Sequence, residues 1–171
     1  MSDNKSVGGI RGGLSTEIQA SLTIRAVLAD IATNGFSRQA PFVIGKIEPE
    51  LKSFAREHSI DLGGNDIVMT TDQIGHTLRD TKARDGKTIP SDHLAEFPIR
   101  RSGMELYHDK TNNNFIYFDR TRKEKFVVHP NYSMKVNREK VKKVNYLTAS
   151  MTNPREFGMQ KYTKIRPKRN G

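Results

Sequence analysis

Five histidines, many hydroxyl side chains, a large basic excess and no cysteine define the chemistry open to this chain. His76, in Ile74-Gly75-His76-Thr77-Leu78-Arg79-Asp80, is the most informative of the histidines. Ile74 and Leu78 lie one helical turn apart and would face a core, which turns His76 about 200° away from each. Asp72, Asp80 and Arg79 share its face at i−4, i+4 and i+3, where carboxylates can orient an imidazole and a guanidinium can hold a phosphate. The simpler account of that spacing is an exposed histidine on a charged helix face. His58 near a helix end, His93 in a cap region, His108 at a strand end and His129 before Pro130 read as structural, with His108 and His129 as reserves.

Tyr146, Thr148 and Ser150 alternate along a strand-like run, so their hydroxyls share one face and could bind a phosphate. Strand propensity accounts for the threonine and tyrosine equally well. Lys135, Lys142 and Lys143 could supply cations, and Tyr107, Tyr117 and Tyr132 could stack bases, although core filling is the commoner use of aromatics. Cleavage of RNA by its own 2′-hydroxyl needs a base, a proton donor and charge on the pentacovalent phosphate; it needs neither metal nor thiol. The lack of cysteine removes disulfide scaffolds, zinc ribbons, iron–sulfur sites and thiol nucleophiles. The glycine run at 8–13 follows no strand and lacks the Lys-Ser/Thr of a phosphate loop. No His-Glu-x-x-His or EF-hand spacing occurs, so no metal or cofactor is expected from local motifs.

Charge points to the partner. Residues 1–40 carry four Lys/Arg against three Asp/Glu, residues 41–100 eight against ten, and residues 101–171 seventeen against six. A one-sided positive half of this kind attracts a polyanion through counterion release, which makes nucleic acid the leading partner. A solvated basic surface, or a patch facing an acidic protein, would have the same composition. The longest mainly apolar stretch, 18–32, is broken by Gln19, Ser21, Arg25 and Asp30 and is too short and too polar to span a bilayer. The first residues lack a basic start followed by an apolar run, so no secretory signal is expected.

The elements that must position these residues divide the chain into a flexible lead at 1–13, an N-terminal helical appendage at 14–40, an α+β domain at 41–152 and a basic tail at 153–171. Apolar spacing of three and four predicts an amphipathic helix over 14–32, with Thr16 and Gln19 as a capping box, docked on the body or on another subunit. A short strand-like run at 41–47 precedes Pro49, which opens a helix to about His58. Residues 67–69 are extended, and Thr70 with Gln73 caps a helix reaching about Lys82. Ser91 caps a short helix through Glu96. Runs at 104–107, 115–118, 126–128 and 141–150 read as consecutive antiparallel strands. The expected fold is α+β: N-terminal helices packed on a small curved four-stranded antiparallel sheet.

Ile44-Gly45-Lys46-Ile47 before a helix, the 67–70 strand opening the His76 helix, Leu94-x-x-Phe97-Pro98, two aromatic strands, Val127-Val128, Lys135-Val136-Asn137 and Tyr146-Leu147-Thr148-Ala149-Ser150 form a familiar string. Over roughly residues 41–152 it resembles the phage-associated nuclease domains of the barnase, EndoU, colicin D and RelE-like superfamily. The resemblance implies a metal-independent ribonuclease, with tRNA as a substrate class. It places His76 on the catalytic helix, Lys135 at the entrance of the late strand, and Thr148 with Ser150 in the Thr-Ala-type strand. Where such domains often carry a second histidine or lysine just after the first, this chain offers Arg79 and Lys82, assigned to phosphate along with Lys142, Lys143 and Tyr146. It also implies a phage-associated or toxin setting, cytoplasmic or virion-associated, with an acidic immunity protein or phage head proteins as partners. The rival expectation is a phage structural or packaging-associated protein that binds nucleic acid or a protein partner without catalysis.

Overall fold

A computed structural model gives the fold and describes residues 15–37, 41–76, 86–137 and 140–169. Helix α1 (Thr16–Asn34) starts at Ser15, whose hydroxyl accepts the Ile18 N–H at 3.2 Å, one position before the expected capping box. It stops at Gly35, which takes φ 81° and donates its N–H to Ile31 O at 2.9 Å, a conformation that a side chain would strain. Strand β1 (Phe42–Lys46) leads into α2 (Pro49–Glu57), where Pro49 occupies the first turn. Strand β2 (Asp66–Met69) and α3 (Thr71–His76) follow, and the Gln73 N–H reaches the Thr70 hydroxyl at 3.4 Å as the capping spacing implies. Helix α4 (Ser91–Arg100) runs a full turn past Glu96.

The remaining strands are β3 (Glu105–Asp109), β4 (Asn114–Asp119), β5 (Glu124–Asn137), β6 (Lys140–Met151) and β7 (Tyr162–Arg166). The expected four-stranded antiparallel sheet is corrected here: one mixed sheet has seven strands in the order β1-β2-β6-β5-β4-β3-β7. Three additions account for the difference. The two short runs at 42–46 and 66–69 pair antiparallel and join the sheet because β2 lies parallel to β6, Ile67 opposite Asn145 and Val68 opposite Tyr146. Such a pairing across nearly eighty residues leaves no local sequence trace. In the basic tail, residues Pro154–Gly158 form a 3-10 turn, and 162–166 pair with β3. What draws the tail in is Arg166, 2% exposed, which donates to Glu48 at 2.8 Å and to Arg101 O at 2.7 Å.

One face of the sheet carries the main core. Ile44, Met69, Leu106, Tyr117, Phe126 and Leu147 meet Ile24, Leu51, Ile74 and Phe97 from the helices. Phe97 stacks on Phe126 at 4.4 Å and meets Tyr117 edge-on at 5.4 Å. Helix α1, expected as an appendage, buries Ala20, Ile24 and Val27 in this core and packs on α4, β1 and α3. The opposite face is divided. Over β3 and β4 it holds a second cluster of Tyr107, Ile116 and Phe118 beneath Phe157, with Val127 of β5 at its border. Over β1, β2, β6 and the rest of β5 it remains partly exposed.

Candidate nucleic-acid interface

Pleating sets the exposed row. Ile67, Met69 and Leu147 point into the core, so Val68 and Tyr146 take the other face. Val43, Val68, Tyr146 and His129 then stand opposite one another across β1, β2, β6 and β5. Thr148 lies two residues beyond Tyr146 on the same face, and Ser150 two further, opposite Lys125. Val43 and Tyr132 are about half exposed, while Tyr146, His129, Thr148 and Ser150 are partly so.

Asn145 fixes this edge of the sheet. Its side chain has no exposed surface; Nδ2 donates to Gly64 O at 3.1 Å and Asp66 O at 2.9 Å, while Oδ1 accepts the Gly63 N–H at 2.7 Å. The loop before β2 is thereby tied to β6. Gly63 is required at this approach, because a Cβ would come within 2.5 Å of the Val144 backbone.

Three rings and two threonine hydroxyls gather on the row. Tyr132 stacks on Tyr146 with centroids 5.2 Å apart, and His129 lies 6.2 Å from Tyr146 and 6.5 Å from Tyr132. His129 Nε2 is 3.0 Å from Thr148 Oγ1, and the Tyr146 hydroxyl is 3.4 Å from Thr70 Oγ1. Burial pushes the His129 imidazole below its ordinary pKa, which favours the neutral ring, the form with a nitrogen able to accept a proton. Beside the row, a cavity of about 260 Å³ runs from Val43 and Val68 to Lys142 and Val144.

Beyond Tyr132, strands β5 and β6 continue as a two-stranded ribbon through the segment that charge alone marks as surface. Ser133 pairs with Lys143, Met134 with Lys142 and Lys135 with Val141, which puts lysines on both faces. All three lysines are exposed, and Lys143 Nζ donates to Ser133 Oγ at 2.5 Å. Residues 133–143 hold five Lys/Arg and one acidic residue.

The expected site residues are therefore partly brought together. Tyr146, Thr148 and Ser150 share a face as their spacing implies, and the reserve His129 joins them. Lys135 does not: its partner Val141 is seven residues from Thr148, about 23 Å along the strand. Lys142 and Lys143 are also out along the ribbon. On this face, the cation nearest Thr148 in register is Lys125, whose Nζ lies 3.1 Å from Glu156 Oε1. His76 is the last described residue of α3, a helix that begins one residue after Thr70 and so starts beside the tyrosine pair. Five residues carry it about 8 Å along the helix axis from Thr71; its side chain, Arg79 and Lys82 lie outside the described part.

The other histidines have structural partners. His58 Nδ1 is 2.9 Å from Phe54 O and its ring stacks on Phe54 at 3.9 Å. His108, the other reserve, is 8% exposed and bonded to Asn113 Oδ1 at 2.9 Å in the β3–β4 turn. His93 Nδ1 meets Glu124 Oε2 at 2.6 Å, and burial raises the pKa of that carboxyl despite the histidine. Sequence reasoning missed Thr70 as a member of the site, because its contact with Tyr146 depends on the β2–β6 pairing. Among the described residues no group of three or more His, Asp or Glu side chains could hold a metal ion. No helix among them is long and apolar enough to cross a membrane.

No protein-family model, no curated protein and no solved structure matches this chain.

Proposed function

We propose that the chain is a metal-independent endoribonuclease that holds RNA on the exposed half of its sheet. The observation that carries the reading is the His129 imidazole bonded to Thr148 beside a half-exposed tyrosine stack, at the root of a lysine ribbon. Single-stranded RNA is bound by aromatic platforms that take its bases and by cations that follow its backbone. Tyr132 and Tyr146 supply the first; Lys135, Lys142 and Lys143 supply the second, and their distance from Thr148 assigns them to phosphates remote from the cleaved bond.

In the reaction, His129 accepts the proton of a ribose 2′-hydroxyl as that oxygen attacks the adjoining phosphorus. The bond from phosphorus to the 5′-oxygen breaks, and that oxygen takes a proton from an acid, a role we assign to His76, which the family resemblance puts on the catalytic helix. The products are a 2′,3′-cyclic phosphate and a free 5′-hydroxyl. Thr148 holds the imidazole, and Ser150 and Lys125 face the phosphate from the next row. A cytoplasmic or virion-associated setting and tRNA as the target belong to the same reading.

Incubation of the purified protein with total RNA in EDTA tests it. Discrete fragments with cyclic-phosphate ends are expected, and His129→Ala should slow their appearance by ~100-fold or more, the usual worth of a positioned acid or base. His76→Ala run in parallel reports on the acid. Intact RNA bound with strong salt dependence would replace the enzyme with the non-catalytic binding protein.

A further inference from the structure

At the far end of β4 from the β3–β4 turn lies a cavity of about 390 Å³, of a size that takes small organic ligands. Arg100, Arg120, Lys168 and Arg169 line it against a single carboxylate, Asp119. Three of these cations are held by carboxylates. Arg120 donates Nε and Nη2 to Glu105 at 2.9 and 2.8 Å, which fixes the plane of its guanidinium. Arg169 pairs with Glu50, and its backbone N–H bonds Gly103 O at 3.0 Å, so the end of the described chain forms one wall. Arg100 pairs with Asp119 at 2.8 Å, which neutralises the one acidic group present. Neither Glu105 nor Glu50 lines the cavity, so its interior faces a surplus of positive charge on side chains already oriented. Among the described residues Lys168 has no ion-pair partner. Ser102 and Thr121 add hydroxyls, and half-exposed Ile99 adds an apolar wall.

The geometry points to a phosphate-binding subsite here, separate from the His129 row and suited to the phosphate of a nucleotide, free or within an RNA strand. Planar guanidinium forks held from behind match phosphate oxygens in pairs, and a lysine serves as the mobile point charge. The apolar wall distinguishes the cavity from a plain basic surface, since it offers a surface for the sugar or base attached to the phosphate. The assignment does not depend on RNA cleavage.

Calorimetric titration with inorganic phosphate, 5′-AMP and a ten-nucleotide RNA tests it on the full chain and on Lys168→Glu, Arg120→Gln and His129→Ala. Lys168 is exposed and has no ion-pair partner among the described residues, so Lys168→Glu should leave the melting temperature unchanged while weakening binding by at least ~10-fold. Arg120→Gln should weaken it too, and His129→Ala should not alter the binding of phosphate or AMP. Saturable AMP binding lost in Lys168→Glu assigns the site to a free nucleotide; loss confined to the RNA assigns it to a strand. Absence of saturable binding for all three probes, or equal binding by the wild type and Lys168→Glu, would overturn the proposal.

Discussion

The two halves of the sheet's outer face are made of similar residues and have opposite fates. Over β3 and β4, Tyr107 and Phe118 meet Phe157 with ring centroids 4.9 and 4.3 Å apart, and Tyr162 closes the cluster at 5.0 Å from Phe157. The Tyr107 hydroxyl donates to buried Glu105 at 2.7 Å, and burial with that carboxylate pushes the phenol up to about 12. Over β6 and β5, Tyr146 and Tyr132 also stack, at 5.2 Å, but remain partly exposed, with a titratable imidazole beside them. Alternation places aromatics outward on both halves, and the returning segment at 154–158 makes one of them a core. An aromatic in a strand is thus a core group or an exposed one according to what folds over it.

Truncation should separate the halves most sharply. Phe157→Ala removes the cover of the packed half and should cost about 3 kcal/mol of stability with little change in RNA affinity, read by urea unfolding and fluorescence anisotropy. Tyr146→Ala should do the reverse, weakening RNA by ~10-fold or more, the worth of one base stacked on an aromatic, for a smaller loss of stability. If both variants behave alike in both measurements, the division of the face is wrong. Replacing Lys135, Lys142 and Lys143 together by Ala should lower the slope of log K against log salt by about 2 for a single strand, with the cleavage rate at saturation unchanged. A smaller effect is expected in pH. The folded His129 pKa lies below that of the unfolded chain, so folding favours the neutral ring, and stability falls as pH drops through the window below about 6.5. For the same reason the acid limb of kcat/KM should lie below pH 6.5, and a limb at or above it would remove His129 as the base.

The parts of this division that the sequence shows are local. The runs at 104–107, 115–118, 126–128 and 141–150 lie within β3 to β6 or within a residue of them, because alternation and turn residues signal strands directly. The shared face of Tyr146, Thr148 and Ser150 follows from the same period. What escapes is non-local. Parallel β2–β6 pairing, which adds Thr70 to the site, and capture of the tail through Arg166 and Glu48 join residues 76 and 118 positions apart. Dense lysine between 135 and 143 reads as a solvated connection, yet Val141 within it and the Tyr132–Val144 pair at its root let both strands continue through it. His129, before Pro130, reads as structural and stands only in reserve, whereas β5 runs on past Pro130 and sets its ring beside Tyr146.

The central claim is that this exposed half-face cleaves RNA through the ribose hydroxyl. The most direct measurement is single-turnover cleavage, in EDTA, of an end-labelled RNA and of its all-deoxy counterpart at equal saturation. The account predicts that the RNA is cut to cyclic-phosphate ends, that the deoxy strand binds and stays whole, and that His129→Ala spares both. Cutting of the deoxy strand, or an RNA left whole by the wild-type protein, would contradict it.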